Sequence, residues 1–189
     1  MSFLQLSGKT FLVVGFANKK SIAWAVAQLL EEEGARVIYC VRNQKRKKEL
    51  ESILEAGTVL TCDFQEVTQI EQLQQSLGDV VDGMLDGVLH SIAFANYSAG
   101  VKPFHETNRD DFLQATQISS FSLIELARAC KPFLANDASF VTIGISSTEV
   151  TAENYGYMAP IKASLEASVR YLAKSFSTDS EVRFNSVNA

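Results

Sequence analysis

Cysteine, proline, histidine and tryptophan are all scarce in this 189-residue chain, which carries 3 Cys, 3 Pro, 2 His and 1 Trp. The widely spaced thiols Cys40, Cys62 and Cys130 are an odd number. With only His90 and His105 beside them they fit no zinc spacing. No metal site is expected, and the thiols read as buried groups in a reducing cytoplasm. The paucity of proline, with no low-complexity tract, excludes disorder and collagen. No apolar run approaches the ~20 residues of a membrane helix, and the amino-terminal stretch has no small-residue cleavage site. A soluble, cytoplasmic protein without a membrane partner is the expectation. Positive charge is in the minority, 17 Lys+Arg against 22 Asp+Glu for a net charge of -5. Nucleic acid is thereby excluded as the main partner, because neutralising phosphates needs a basic surface.

What the chain does have is a 47% hydrophobic composition and enough length to bury about 70% of its unfolded surface as one domain. Short apolar runs alternate with stretches of helical period. Strands are expected at Thr10–Gly15, Arg36–Val41, Thr58–Cys62, Gly87–Ile92, Ser139–Gly144 and Val182–Val187. Helices are expected at Ser21–Glu33, with Ile22, Val26, Leu29 and Leu30 on its inner face, at Lys45–Leu54 and at Val67–Leu77. A long one should run from Asp110 to about Phe133, and another from after Tyr155 to about Ser177. Strands separated by crossover helices imply an α/β protein, a doubly wound parallel sheet with helices on both faces. Ligands of such sheets sit beyond the carboxyl ends of the strands.

Those ends carry the informative residues. Gly15 after the first strand, with Ser21 and Ile22 opening the next helix, is either an anion site or a plain βα turn with a capping serine; only one glycine is present, so the turn lacks the G-x-G-x-x-G pattern. The second strand ends at Arg42 rather than at an acid. An acid there would hold the ribose hydroxyl of NAD, whereas arginine can meet the 2′-phosphate of NADP. The lysines and arginine at 45–48 read equally well as a solvated helix face. Asp63 and Phe64 end the third strand, where the carboxylate either accepts from an adenine amino group or caps the next helix. His90, beside an apolar strand, reads as a satisfied core residue and receives no catalytic role.

Tyr155 and Lys162 are seven positions apart. A phenol beside an ammonium can donate to an oxygen that gains negative charge. Pro160 is best tolerated in a first helical turn, which would leave Tyr155 on the loop before the helix. Taken alone, the pair reads first as a packing aromatic and a surface lysine.

Taken in order, these residues resemble the short-chain dehydrogenase/reductase superfamily, and within it the bacterial enoyl-acyl-carrier-protein reductases. The marks are Gly15 with Ser21-Ile22-Ala23, Cys62-Asp63, His90-Ser91-Ile92 with Phe94-Ala95, Ile118 to Ser122, and Tyr155-x6-Lys162 in place of the superfamily's usual Tyr-x3-Lys. The resemblance spans essentially the whole chain. It implies a single Rossmann-like dinucleotide-binding domain over residues 1–189, with six strands visible of an expected seven. It further implies reduction of the trans-2 double bond of enoyl-acyl-carrier-protein thioesters in fatty-acid biosynthesis. Gly15, Ser21, Ile22, Arg42, Asp63, Phe64, Ile92 and Lys162 would line the cofactor site, NADPH by Arg42 with NADH possible. Ala95 would lie beside the acyl chain, and Tyr155 and Lys162 would be catalytic. A homotetramer is implied, with the helices at Asp110–Phe133 and Ala159–Ser177 between subunits.

Two departures from the family pattern stand out. Ile145 occupies the place, ten residues before Tyr155, where the family usually has a second tyrosine. The chain also stops at Ala189, where the family continues through a nicotinamide-binding loop, a covering helix and a final strand, so a carboxyl-terminally incomplete domain is expected. Ile145 keeps another carbonyl or enone reductase, such as a 3-oxoacyl reductase, open as an alternative. The short carboxyl end keeps open a non-catalytic dinucleotide-binding module.

Overall fold

The unbroken apolar run Thr10–Val14 forms the central strand, β1, buried from both sides as continuous hydrophobicity requires. The computed structural model describes residues 4–148, 150–151 and 155–189. After β1 the chain runs α1 (Ile22–Glu32), β2 (Arg36–Val41), α2 (Gln44–Glu51), β3 (Thr58–Thr61), α3 (Val67–Val80), β4 (Leu85–His90), α4 (Arg109–Thr116), α5 (Ser122–Cys130), β5 (Leu134–Ile143), α6 (Met158–Phe176) and β6 (Arg183–Val187). The strands form a six-stranded sheet in the order β3-β2-β1-β4-β5-β6, every pair parallel. This is the doubly wound, Rossmann-like architecture expected from the sequence. Side chains alternate across β1: Leu12 and Val14 join Ile38, Leu73, Leu126 and Phe140 on one face, and Val13 joins Tyr39, Ala23 and Ala27 on the other.

The elements differ from expectation in instructive ways. Helix α1 buries Ala23 and Ala27, whereas Ile22 and Leu29 are exposed at 46% and 50%. Two alanines let the helix axis approach the sheet, so the larger side chains fall to its flanks. Helix α2 stops at Glu51, with Ser52 at its C-cap, rather than reaching Leu54. Strand β4 begins two residues early at Leu85 and ends at His90, and β5 begins at Leu134 through a register irregularity opposite Leu85 and Gly87. The long helix expected over Asp110–Phe133 is interrupted. A π-helical turn at Gln117–Phe121 separates α4 from α5, and Lys131–Phe133 closes it as a 3₁₀ turn. Within the wide turn, Ser122 Oγ donates to the Ile118 carbonyl at 2.6 Å, and Ser119 turns its hydroxyl out of the helix toward Phe94.

His90 is wholly buried at the end of β4, as a core residue should be. Because Ser122 gives its proton to Ile118, His90 Nε2–H is the donor in its 2.8 Å bond to Ser122 Oγ. Nδ1 then accepts from Thr142 Oγ1, which lies 2.8 Å from it and 3.2 Å from the His90 carbonyl. The ring thus ties β4 to β5 and to the π turn in one neutral tautomer. Burial, reinforced by the Lys162 ammonium, pushes its pKa from 6.5 down to about 3. The unfolded chain takes a proton below pH 6.5 that the folded chain refuses, so this stability is fully present above pH 6.5 and is lost as pH falls toward 3. From pH 7 to pH 5 the loss from this group is about 2 kcal/mol. Urea denaturation at both pH values should show that difference in the parent, and His90→Gln should remove most of it.

Candidate active site

Between β1 and β4 the sheet order reverses, which opens a crevice at the carboxyl edge. Gly15 ends β1 there with φ +108°, and a Cβ built on it would lie 2.0 Å from the Ser91 carbonyl oxygen. Only a residue without a side chain fits. Around this point lies a cavity of about 310 Å³. Gly15, Arg42, Asp63, Phe64 and Ile92 all line it, together with Ile118 from the π turn. These five predicted residues, drawn from four strand ends, are therefore brought to one place.

Arg42 spans the mouth. Its Nε donates to Asp63 Oδ2 at 2.9 Å and its Nη2 to Gln65 Oε1 at 2.9 Å, while the guanidinium lies 5.8 Å from the centre of the Phe94 ring. Half of its side chain stays exposed. The neighbouring basic residues are less committed to the cavity: Arg46 pairs with Glu49 at 2.7 Å and Lys47 with Glu51 at 3.7 Å along α2. Asp63 does not cap α3, whose N-cap is Glu66; its Oδ1 instead accepts from the Gln65 backbone N–H at 3.1 Å. Cys40 and Cys62 lie in the cavity floor as free thiols, and burial pushes Cys62 up to about 12.

Ser21 and Ile22 stand at the start of α1 but do not line the cavity. Ser21 is the N-cap residue, yet its hydroxyl donates back to the Asn18 carbonyl at 2.6 Å and caps no helical N–H. The free N–H groups of the first turn therefore keep their positive end toward the crevice. Exposed Ile22 leaves an apolar edge beside them.

Lys162 is buried at 3% exposure, not on the surface. Its Nζ donates to the Ile143 carbonyl at 2.7 Å and to the Ile92 carbonyl at 3.4 Å, so the end of β5 and the segment leaving β4 share one ammonium. Burial lowers its pKa to about 8. Pro160 falls in the first turn of α6, and Tyr155 accordingly precedes the helix, 40% exposed. Ala95, partly buried, packs against the cluster of Ala115, Tyr157, Met158 and Ile161.

Several positioning groups were not read from the sequence. Ser119 Oγ accepts from the Phe94 N–H at 2.7 Å and donates to its carbonyl at 2.9 Å. Gln117 Nε2 reaches the Phe64 carbonyl at 3.3 Å. Tyr157, buried, uses its hydroxyl on both backbone groups of Asn96. The π turn that presents Ser119 and Gln117 has no periodicity signal of its own within the helical run. The run Gln117 to Ser122, with three serines among its six residues, was the available hint.

A sequence-family profile described as Enoyl-(Acyl carrier protein) reductase matches residues 15–189. The chain is 38% identical to the enoyl-(acyl-carrier-protein) reductase (NADH) FabI of Bacillus subtilis strain 168, covering 97% of this chain and 72% of that protein. It is likewise 38% identical to the enoyl-(acyl-carrier-protein) reductase (NADPH) FabI of Staphylococcus aureus strain NCTC 8325, covering 98% of this chain and 74% of that protein. Among solved structures, the enoyl-(acyl-carrier-protein) reductase (NADH) of Aquifex aeolicus VF5 superposes with a TM-score of 0.91 at 32% identity, over 98% of this chain and 74% of that one. The Bacillus cereus enoyl-acyl carrier protein reductase with NADP+ and indole naphthyridinone superposes with a TM-score of 0.89 at 36% identity, over 97% and 73%.

The Gly15 contact is open to a controlled test. Gly83 also has a positive φ, +84°, but nothing lies within 4 Å of an added Cβ. Gly83→Ala should cost about 1 kcal/mol in urea denaturation, whereas Gly15→Ala, which must also part β1 from β4, should cost more than about 3 kcal/mol.

Proposed function

The chain belongs to the enoyl-(acyl carrier protein) reductase family, and from that premise we infer how its own residues carry out the reaction. It is an oxidoreductase of fatty-acid biosynthesis that reduces the trans-2 double bond of enoyl-acyl-carrier-protein thioesters with a nicotinamide cofactor. The observation that carries the assignment of sites is the convergence of Gly15, Arg42, Asp63, Phe64 and Ile92 on one strand-end cavity, with Lys162 anchored at its Ile92 edge.

The residues present fit a dinucleotide. Gly15 allows close backbone approach, the open N–H groups of α1 favour pyrophosphate, and the exposed half of Ile22 offers it an apolar flank. Phe64 and Asp63 suit an adenine, which would find an acceptor for its amino group in the Asp63 carboxylate and an apolar neighbour in Phe64. When bound, the reduced nicotinamide supplies a hydride to the β-carbon of the enoyl thioester. The electron pair of the double bond then moves onto the thioester carbonyl, and the Tyr155 hydroxyl donates a hydrogen bond to that oxygen as it becomes an enolate. The α-carbon takes its proton through water. Lys162 has three N–H donors and spends two on Ile143 and Ile92, which leaves one for the ribose hydroxyls. Ala95 lies along the acyl chain.

Relatives of this chain are named for either NADH or NADPH, and NADPH is the cofactor we assign here. Arg42 is held in direction by Asp63 and Gln65 and keeps exposed N–H groups for a 2′-phosphate. Residues 1–189 act as one dinucleotide-binding domain, and self-association into a homotetramer is supported by apolar exposure on the helices expected at the interface. Leu113, Phe121 and Tyr171 are exposed at 53%, 49% and 80%, and Tyr171 lines a groove between α5 and α6 with Ile124 and Leu172. The buried free thiols support action in the cytoplasm, and among the described residues no helix is long and apolar enough to cross a membrane.

Two substitutions test the assignment. Tyr155→Phe should lower turnover of a trans-2-enoyl thioester about 10²–10⁴-fold while nucleotide binding persists; undiminished turnover would remove Tyr155 from the mechanism, and a preference for 3-oxoacyl thioesters would replace the substrate. Arg42→Ala should raise KM for NADPH about 10–100-fold, the worth of a charge-assisted contact, and leave KM for NADH within about twofold. Equal effects on both cofactors would refute the 2′-phosphate contact.

A further inference from the structure

We propose that Tyr97 is a positioning residue for Tyr155, fixing the reacting phenol to the segment that follows β4 through a hydrogen bond to the Tyr155 backbone. The inference rests on Tyr155 being the hydroxyl that faces the substrate oxygen.

The segment after β4 is neither helix nor strand but is tightly held. Every second residue is pinned through its backbone. Phe94 is held on both its N–H and its carbonyl by Ser119, Asn96 on both by the Tyr157 hydroxyl, and Ser98 by Asp111, whose Oδ2 accepts from the Ser98 N–H and hydroxyl at 2.8 Å each. Asn96 adds a side-chain bond to Gln114 at 3.2 Å. The clamps come from three different parts of the chain: α4, the π turn and the residue before α6. With the even positions fixed, Tyr97 is left between two anchored neighbours.

From there its ring packs on Tyr157, centroids 4.8 Å apart at a tilt of 34°, and its hydroxyl donates to the Tyr155 carbonyl at 3.2 Å. The next residue shows that the fit is specific. Gly156 has φ +54°, and a Cβ there would stand 2.7 Å from the Tyr97 hydroxyl. The chain thus omits a side chain where the phenol of Tyr97 comes in. Burial and the nearby Tyr155 both push the Tyr97 pKa up, so the hydroxyl stays a donor. Tyr155 precedes α6, beyond the reach of a regular helical ladder, and Tyr97 supplies it with a bond to a rigid part of the fold. A reacting group displaced by about 1 Å can lose up to about 10²-fold in rate.

Tyr97→Phe keeps the ring packed on Tyr157 and deletes only the donor. In the full chain its melting temperature and KM for the enoyl thioester should match the parent, and its kcat should fall about 5–50-fold. The double variant Tyr97→Phe/Tyr155→Phe should be no slower than Tyr155→Phe alone, because the first substitution acts through the second residue. A second readout needs no turnover. In protein labelled with 3-fluorotyrosine, the resonance that vanishes in Tyr155→Phe should shift and broaden in Tyr97→Phe. Unchanged kcat with an unmoved Tyr155 resonance overturns the proposal, and so do losses that multiply in the double variant. If Tyr155→Phe itself retains turnover, the reading of Tyr155 as the donor fails, while the fluorine resonance still reports whether Tyr97 sets its conformation.

Discussion

The Ser91 carbonyl lies where a side chain on residue 15 would begin, so β1 and β4 can end side by side only because residue 15 has none. Strands hydrogen-bonded along their length would ordinarily be held apart at their ends by the loops that leave them. Here the chain turns away from β1 at Gly15 toward α1, and from β4 at Ser91 toward the opposite face. The crevice between those departures is where β2 and β3 also deliver Arg42 and Asp63. Enlarging residue 15 would not simply strain a turn. It would part the two central strands of the sheet and disperse the groups the cavity gathers.

Around that contact the polar residues of the interior are used as fasteners. Lys162 joins the carbonyl that ends β5, Ile143, to that of Ile92, two residues beyond β4. His90, one pairing step inside, joins the same two strands to the π turn. Burial above all, with the Lys162 ammonium adding to it, keeps the imidazole uncharged. The charge is therefore kept at the site and excluded from the core beneath it.

The sequence made the sheet legible because its strands are continuous apolar runs and its breakers are few. Arg36–Val41 coincides with β2 residue for residue. Strand-end residues were legible for the same reason: topology alone sends Arg42, Asp63 and Ile92 to one edge. What could not be read depends on contacts between distant segments. Ile22 looked like a core residue by periodicity, but the alanines at 23 and 27 decide how the helix sits. Lys162 taken alone looked like surface, since nothing local reveals that two strand ends will close over it. Tyr157 reads from the sequence as no more than a packing aromatic, because the Asn96 backbone its hydroxyl clasps lies 61 residues away.

The π turn at Gln117–Phe121 holds one more residue than an α-helical turn of similar rise. α4 and α5 keep their inward faces, Ala115 before it and Leu123 and Leu126 after it, despite the added residue. A helix with such a turn has a place where chain length itself is negotiable. Gain or loss of one residue at 117–121 can be taken up locally, whereas the same change within α5 would rotate every later side chain by about 100° and turn its apolar stripe off the sheet. Length variation in this helix should therefore concentrate at the turn, next to the serine that holds the segment after β4.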